Sequence, residues 1–391
     1  MRIEMRSYII ALIFVGALII GGTIGFFVTG FVTASSIKKE STFYYDPSSP
    51  DLIESLDIYS DIGEVSVQYN SSNTPHYATI DVNIEIGGLF MQGKSYTDFF
   101  TAESNWWNPS TAEFTLKVKP DIWFDPSYWF KAYNVTINVL LRTDIVYDLT
   151  AISSTGAVKM TTKNGVVLNS TILDTSTGSV ALTSSTNVEF QGIVKLHTST
   201  GGVALNTLEN STFLDSLTLS TSTGSVSLTS DRTTFSKGFQ LDSSTGSVEM
   251  HMNNCTVGDD LIATTSTGSV ILVSTDMIYT NDVNMHLETS TGSINANIIH
   301  NNDLNANITA LFKTSTGSVN VVYRDYNSTD GFRFTSSTST GSVNYTFLTA
   351  EAERLGDVLT SLNYNYPSVD TYTFTCTTST GSVNVDARST I

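Results

Sequence analysis

The residue types that most often carry catalysis or bind metals occur in this sequence without the spacing that such chemistry needs. The five histidines fall at unrelated positions of a repeat of 22–25 residues, and no zinc-helix, nucleophile-elbow or phosphate-loop motif is present. Cys255 lies nine residues after one repeated glycine and Cys376 five residues before another, so we expect two unpaired thiols. The sequence therefore predicts a protein that is not an enzyme and that uses no cofactor and no metal.

Threonine supplies a second kind of candidate chemistry. A Thr-Ser-Thr triplet precedes eight of ten repeated glycines, and solvent-facing Thr-x-Thr ladders are the surface of ice-binding solenoids. Around Gly178, however, Thr175 and Thr177 share the period-two register of the apolar Leu173. We therefore expect both threonines to face inward, with packed methyl groups and with hydroxyls bonded to neighbouring coils.

Two further groups of side chains are candidates for surface contact. The third residue after each of the last four glycines is asparagine, and stacked asparagines form either a structural amide ladder or a sugar-binding strip. All four tryptophans lie within an aromatic-rich insertion at residues 87–131. That insertion is interpreted either as a hydrophobic cap or as an exposed surface for lipid headgroups or glycan rings. The candidates are Asn295, Asn320, Asn344 and Asn384 together with Trp106, Trp107, Trp123 and Trp129.

The repeat that positions these residues is the tripeptide Ser-Thr-Gly, which occurs ten times. Successive glycines are separated by 22, 23, 23, 22, 22, 24, 25, 24 and finally 40 residues. Propeller blades need about 40 residues, so this period favours stacked coils. The glycines, each expected at the same structural corner, are Gly156, Gly178, Gly201, Gly224, Gly246, Gly268, Gly292, Gly317, Gly341 and Gly381.

Each repeat reads as short strands joined by a bend. The inward set that ends at Thr177 resumes at Val180 and Leu182, an odd step that requires the chain to turn near Gly178. Asp61 to Glu64 carries the same signature without the tripeptide and is predicted to be the first coil. The fold class predicted is all-β, a single-stranded β-solenoid of about ten or eleven coils of about 23 residues.

The amino terminus carries an apolar segment. Residues 8–34 contain no charge, and as a helix they would reach about 40 Å, enough to cross a bilayer. We interpret the segment as a retained transmembrane anchor with the bulk of the chain outside the cell, and a cleaved signal peptide is the alternative. Residues 1–7 are then a short cytoplasmic tail and residues 35–50 a linker.

The remaining chain divides at residue 150. Residues 51–150 hold the first coil, alternating strands and the aromatic insertion, and residues 151–391 hold the repeat solenoid. Within the long final interval, Leu355, Val358, Leu359 and Leu362 follow helical spacing, which predicts an amphipathic helix at about residues 349–362.

Once these features are combined, the chain resembles the "putative-adhesin" family of β-solenoid domains found in prokaryotic membrane-linked proteins. The resemblance covers residues 51–391 and is carried by the Ser-Thr-Gly-Ser-Val corners, such as residues 176–180. It implies a solenoid fold and an adhesin-like domain of unknown function, with no catalytic residues to carry over. The insertion and the 40-residue interval depart from a plain repeat array.

Composition and charge narrow the function. The net charge is −18, with 37 acidic against 19 basic residues, so a nucleic-acid partner is not expected. The predicted function is a non-enzymatic, membrane-anchored cell-surface protein with an adhesin-like or envelope-structural role. Its partners are the lipid bilayer through residues 8–34 and, as candidates, glycans, envelope components or a second copy. The alternatives are a membrane-tethered sensory or regulatory ectodomain and a carbohydrate-binding or polysaccharide-degrading β-helix protein.

Overall fold

The structure is a computed structural model that describes residues 35–47, 51–70, 74–101, 106–108, 112–122, 124–128, 131–326, 330–347, 352–364 and 370–389. The predicted anchor at residues 8–34 and the tail before it lie outside this part of the chain. Among the described residues, no helix has both the length and the apolar character needed to cross a membrane. The fold is nearly all β, with long parallel sheets of the kind that a β-solenoid forms.

The strands fall into three groups along the chain. The amino-terminal part contains β1 Ser35–Tyr45, β2 Glu54–Ser60, β3 Glu64–Tyr69, β4 Ala78–Gly88, helix α1 Tyr96–Phe99, β5 Trp107–Asn108, β6 Glu113–Leu116, a 3-10 turn Pro126–Tyr128 and β7 Ala132–Leu141. The regular part contains β8 Tyr147–Thr155, β9 Val158–Thr161, β10 Val167–Thr177, β11 Val180–Ser184, β12 Glu189–Phe190, β13 Val194–Thr200, β14 Val203–Thr207, β15 Thr212–Phe213, β16 Leu217–Thr223, β17 Val226–Asp231, β18 Thr234–Phe235, β19 Phe239–Thr245, β20 Val248–Asn253, β21 Thr256–Val257, β22 Leu261–Thr267, β23 Val270–Thr275, β24 Ile278–Tyr279, β25 Val283–Thr291, β26 Ile294–His300, β27 Ile308–Thr316 and β28 Val319–Asp325. The carboxyl-terminal part contains β29 Gly331–Thr340, β30 Val343–Thr346, β31 Ala352–Leu355, β32 Val358–Ser361, β33 Thr371–Thr380 and β34 Val383–Ser389.

One coil of the regular part shows how the chain winds. Strand β13 lies on the first face, the chain turns at Gly201, β14 follows on the second face, and the two-residue β15 forms a short third face. Each strand pairs in parallel and in register with its equivalent one coil away, as Val194 does with Leu217. Because alternate side chains point inward, Leu196 and Leu205 are fully buried, and the coils share one continuous apolar core.

The third face carries a column of rings inside this core. Phe190, Phe213 and Phe235 are buried and follow one another in successive coils. Their ring centroids are 4.5 Å and 5.2 Å apart, with nearly parallel planes. Aromatic stacking therefore adds to aliphatic packing along the narrow side of the rod.

Every repeated glycine occupies the same corner, as the sequence predicts. The glycines have φ between +134° and +149°, which side chains rarely tolerate. A Cβ placed on any of them would overlap the carbonyl of the corner glycine in the adjacent coil, and Gly156 contacts Gly63 in this way. The coil around Gly63 is therefore the first coil, and eleven corners stack within the described residues.

The sequence predicts a linker at residues 35–50, but residues 35–45 belong to a sheet instead. They form β1, which pairs antiparallel with β4 along its whole length. Beyond the first coil the second face continues through β7, β4 and β1, and the core side of β4 is buried. Strand β1 covers the edge that β4 would otherwise expose, and as an edge strand it needs few apolar residues: Tyr45 is buried, and Ile37 and Phe43 are partly buried against the core.

The last two coils do not follow the order of the sequence. Strand β33 lies between β27 and β29, and β34 lies between β28 and β30. The corner glycines accordingly stack in the order Gly317, Gly381, Gly341. The 40-residue interval exists because the chain builds the terminal coil first and then returns to place its final coil beneath it.

The prediction of an amphipathic helix at about residues 349–362 is wrong. Its described residues form an antiparallel hairpin of β31 and β32, with Gly356 at φ +62° in the turn. Burial alternates along β32, where Leu359 and Ser361 are buried and Val358 and Thr360 are half-buried, while Leu355 at the end of β31 is 81% exposed. The open edge of β29 decides the outcome, because β32 pairs with Arg333 to Thr335 and covers that part of the edge.

The carboxyl-terminal coils also bury two titratable groups. His300 and Asp330 are 1% and 3% exposed, and His300 Nε2 lies 4.0 Å from Asp330 Oδ2. The Leu304 N–H donates to Asp330 Oδ2 at 2.9 Å. Burial raises the pKa of Asp330 from 3.8 to about 6 and lowers the pKa of His300. The folded state therefore disfavours the ionised form of both side chains.

We predict that replacing Gly224 by Ala strongly destabilises the rod. The backbone strain at its φ of +138° costs about 1–3 kcal/mol, and the overlap with the Gly201 carbonyl raises the total above about 4 kcal/mol. The control is Gly165→Ala, a position with positive φ but no atom within 4 Å of the added Cβ. Thermal unfolding followed by circular dichroism measures both, and equal losses would contradict the stacked corner.

A second prediction concerns pH. A carboxyl whose pKa is higher in the folded chain lowers the free energy of unfolding as the pH rises from about 4 through 6. Asp330→Asn should therefore stabilise the protein at pH 8 by up to about 3 kcal/mol, and this advantage should vanish near pH 4. Unfolding midpoints of both proteins across this range provide the measurement. A difference that does not change with pH would show that Asp330 is not the titrating group.

Candidate functional site

The first residue of each Thr-Ser-Thr triplet points inward and locks adjacent coils together. Thr175 Oγ1 donates to Gly156 O at 2.8 Å, and the equivalent Thr198 Oγ1 donates to Gly178 O at 2.9 Å. The same bond recurs along the rod. Its other donors are Ser153, Thr221, Ser243, Thr265, Thr289, Thr314, Thr338 and Thr378. This inner column is the structural ladder that the sequence predicts.

The second threonine does not face inward, which corrects the expectation from strand register. In all ten coils this threonine and the serine before it are exposed, and no hydrogen bond of either hydroxyl is found within the described residues. The threonine stays paired with its equivalents in the adjacent coils, but the pairing skips the serine before it, and burial stops alternating at this end of the strand. We call these residues the hydroxyl strip: Ser154 and Thr155, Ser176 and Thr177, Ser199 and Thr200, Ser222 and Thr223, Ser244 and Thr245, Ser266 and Thr267, Ser290 and Thr291, Ser315 and Thr316, Ser339 and Thr340, Ser379 and Thr380.

The hydroxyl strip is continuous and fixed in place. The threonines pair coil by coil, as Thr223 does with Thr200 on one side and with Thr245 on the other. The corner backbone holds each pair, because Gly201 N donates to Thr223 O at 2.8 Å. With about 4.8 Å per coil, ten coils give a strip of about 43 Å.

A shallow groove borders the hydroxyl strip on the first face. It has a volume of about 450 Å³ and includes the strip serines Ser244, Ser266 and Ser290. Asp242, Thr264 and Glu288 stand beside them in three successive coils. The groove thus combines a row of hydroxyls with two carboxylates.

The two carboxylates of the groove differ in their partners. Asp242 Oδ1 accepts from Thr264 Oγ1 at 2.5 Å. Glu288 accepts from Lys313 Nζ at 2.7 Å and lies 2.9 Å from His286 Nε2. The hydrogen bond from Lys313 holds the pKa of Glu288 below its usual range, so this carboxyl is ionised at neutral pH.

The four asparagines form the amide ladder on the second face. Asn320 Nδ2 donates to Asn295 Oδ1 at 2.9 Å, Asn384 Nδ2 donates to Asn320 Oδ1 at 2.8 Å, and Asn344 Nδ2 donates to Asn384 Oδ1 at 2.9 Å. Their order follows the inverted stacking of the last two coils. The ladder leaves Asn344 exposed and the other three half-buried.

The tryptophans do not form one exposed surface among the described residues. Trp106 is fully buried, with Nε1 donating to Thr101 O and its ring 5.6 Å from that of Tyr96. Trp107 is half-buried against Tyr45, with ring centroids 5.7 Å apart. Trp106 therefore belongs to a hydrophobic cap over the first coils and is not a surface contact. Trp123 and Trp129 lie outside the described residues.

The two cysteine thiols lie apart from the hydroxyl strip, the groove and the amide ladder. Cys255 and Cys376 are both free and buried, and burial raises the pKa of each thiol. Within the described part of the chain, no group of three or more His, Cys, Asp or Glu side chains is placed to hold a metal ion.

Sequence reasoning identified the inner threonine column and the amide ladder but missed the hydroxyl strip and the groove. The signal for the strip was the constancy of the Ser-Thr pair itself. The hydrogen bond between coils explains why the inward threonine is repeated. The hydroxyl of the second threonine makes no hydrogen bond within the described residues, so stacking does not explain its repetition.

Comparisons with known proteins give little further information. No family model matches this chain, and no curated protein matches it. A solved structure described as a "putative cell adhesion protein" from Clostridium sporogenes ATCC 15579 matches over 90% of this chain and 99% of that chain. The sequence identity is 10% and the TM-score is 0.17, so this similarity supports no conclusion about fold or function. The family resemblance stays a prediction.

One coil provides a direct test of the two threonine columns. Thr265→Val removes a hydroxyl that bonds Gly246 O at 2.8 Å and leaves that buried carbonyl without its donor, which should cost about 1–3 kcal/mol. Thr267→Val, two residues later, removes an exposed hydroxyl and should change stability by less than about 0.5 kcal/mol. Urea denaturation measures both, and a Thr267→Val loss as large as that of Thr265→Val would contradict the exposed column.

Proposed function

We propose that this chain is a non-enzymatic, membrane-anchored cell-surface protein whose solenoid projects outward as a rod with an adhesin-like or envelope-structural role. The observation that carries the proposal is the use of the repeat. In each of the ten Ser-Thr-Gly coils, one glycine, one inward hydroxyl and two or more buried apolar residues serve the stacking, while the exposed Ser-Thr pair is repeated without variation. A structure of this kind offers length, rigidity and a periodic surface.

The predicted transmembrane anchor at residues 8–34 supports the proposed location at the cell surface. The rod begins at β1, whose first residue directly follows the uncharged segment at residues 8–34. In this proposal the amino-terminal cap lies next to the bilayer, and the coils extend away from it. The terminal coil, closed by the β31–β32 hairpin, is then the distal end.

The polysaccharide-degrading alternative finds a candidate acid pair in Asp242 and Glu288. These residues lie two coils apart in one column, roughly 10 Å by coil spacing, near the upper end of the range for an inverting glycosidase. A general acid, however, needs a raised pKa, and Lys313 lowers that of Glu288. Glu288 is therefore poorly suited to be the general acid of such a pair.

The anchor can be tested on the full chain expressed in a prokaryotic host. We expect it to stay in the membrane fraction after alkaline extraction and to lose its rod when intact cells are treated with protease. Release into the soluble fraction, or protection from external protease, would contradict the proposed location.

The adhesive or structural role can be tested with the full chain in lipid vesicles. Vesicles carrying the protein should sediment with cell-envelope fragments or aggregate with each other, and vesicles shaved with protease should do neither. Failure of both would exclude this role. Specific co-purification of another membrane protein through residues 8–34 would instead favour the sensory alternative.

A further inference from the structure

We propose that the hydroxyl strip and its bordering groove bind an extended, uncharged polysaccharide laid along the rod axis. This inference rests on the proposed cell-surface function and names the partner class for it. The strip supplies the binding face, and Asp242 and Glu288 provide a central anchoring point.

The chemistry of the strip matches a polymer of hydroxyls. Each serine or threonine hydroxyl donates one hydrogen bond and accepts two, as does each sugar hydroxyl. The twenty hydroxyls of the strip have no hydrogen bond within the described part of the chain, so all are available. Since the column repeats once per coil, a ligand with its own regular repeat can make the same contact many times.

The strip is also preorganised. The inner threonine bonds and the corner backbone bonds fix every coil, so ordering the protein side adds little entropic cost to binding. Single hydroxyl contacts in water are weak. Affinity must therefore come from repetition along a long chain, and we expect it to rise steeply with ligand length.

The negative net charge of the protein favours an uncharged ligand. The strip contains only serine and threonine, but the protein as a whole carries a net charge of −18. A polyanion would be repelled over the whole length of the rod. The carboxylates of Asp242 and Glu288 accept hydrogen bonds from sugar hydroxyls, and hydrogen bonds to ionised acceptors are stronger than neutral ones.

The test uses the full chain in lipid nanodiscs with three central substitutions, Thr223→Val, Thr245→Val and Thr267→Val. Valine keeps the shape of threonine and removes the hydroxyl. The probes are insoluble cellulose, soluble mannan, short oligosaccharides of each, and alginate as an acidic polymer. We expect the unmodified protein to bind at least one neutral polymer, short oligosaccharides and alginate to bind at least tenfold more weakly, and the triple variant to lose at least tenfold in affinity for the polymer.

A control carries Thr161→Val, Thr183→Val and Thr229→Val, which remove outward-facing hydroxyls of the second face; Thr229 lies in the same coil as Thr223, and the other two lie in coils nearer the amino-terminal end. Its binding should equal that of the unmodified protein, and circular dichroism checks that both variants fold.

Three outcomes would overturn the assignment: no binding to either neutral polymer, equal loss in the variant and the control, or alginate binding as tightly as the neutral polymers. If the protein still attaches to envelope fragments in any of these cases, the proposed function stands and only the hydroxyl strip is excluded as its binding face. If it attaches to neither envelopes nor polysaccharides and vesicles carrying it do not aggregate with each other, both proposals fail.

Discussion

The close stacking of one glycine on the next is the constraint on which the rest of this structure depends. At each corner the neighbouring glycine carbonyl occupies the space that a Cβ would need, and an inward hydroxyl donates to that same carbonyl. The missing side chain of the glycine and the hydroxyl three residues before it are thus parts of one contact, as for Gly224 and Thr221. Because the contact recurs in every coil, the parallel strands keep their register, and the apolar side chains form one column.

That contact also explains why a surface forms beside it. The strand must leave its alternation before the glycine, and the residues at that point, a serine and a threonine, turn to solvent in every coil. The rod therefore has an edge without charge or aromatic rings on a molecule of net charge −18. The groove with Asp242 and Glu288 adjoins this edge, so a concave surface with two carboxylates lies beside the most regular part of the scaffold.

Both ends of the solenoid carry added elements, because an open terminal coil would expose unpaired backbone groups. At the amino-terminal end, the antiparallel strands β7, β4 and β1 extend the second face, while Trp106 and its aromatic neighbours fill the space over the first coils. At the other end, the β31–β32 hairpin covers part of the first-face edge of the terminal coil. The final coil is held on both sides by earlier strands, which makes the end of the chain an internal layer of the rod.

The sequence by itself determined the repeat, the coil corners, the inward aliphatic residues and the amide ladder, because these depend on local periodicity and on the special conformation of glycine. Tertiary structure alone decided the remaining features. Residues 35–45 form a strand because β4 has an edge with which they pair. Leu355 and Leu359 lie in a hairpin because the edge of β29 pairs with β32. The order of the last coils and the exposure of the second threonine depend on contacts between residues that are distant in the chain, and no local pattern encodes such contacts.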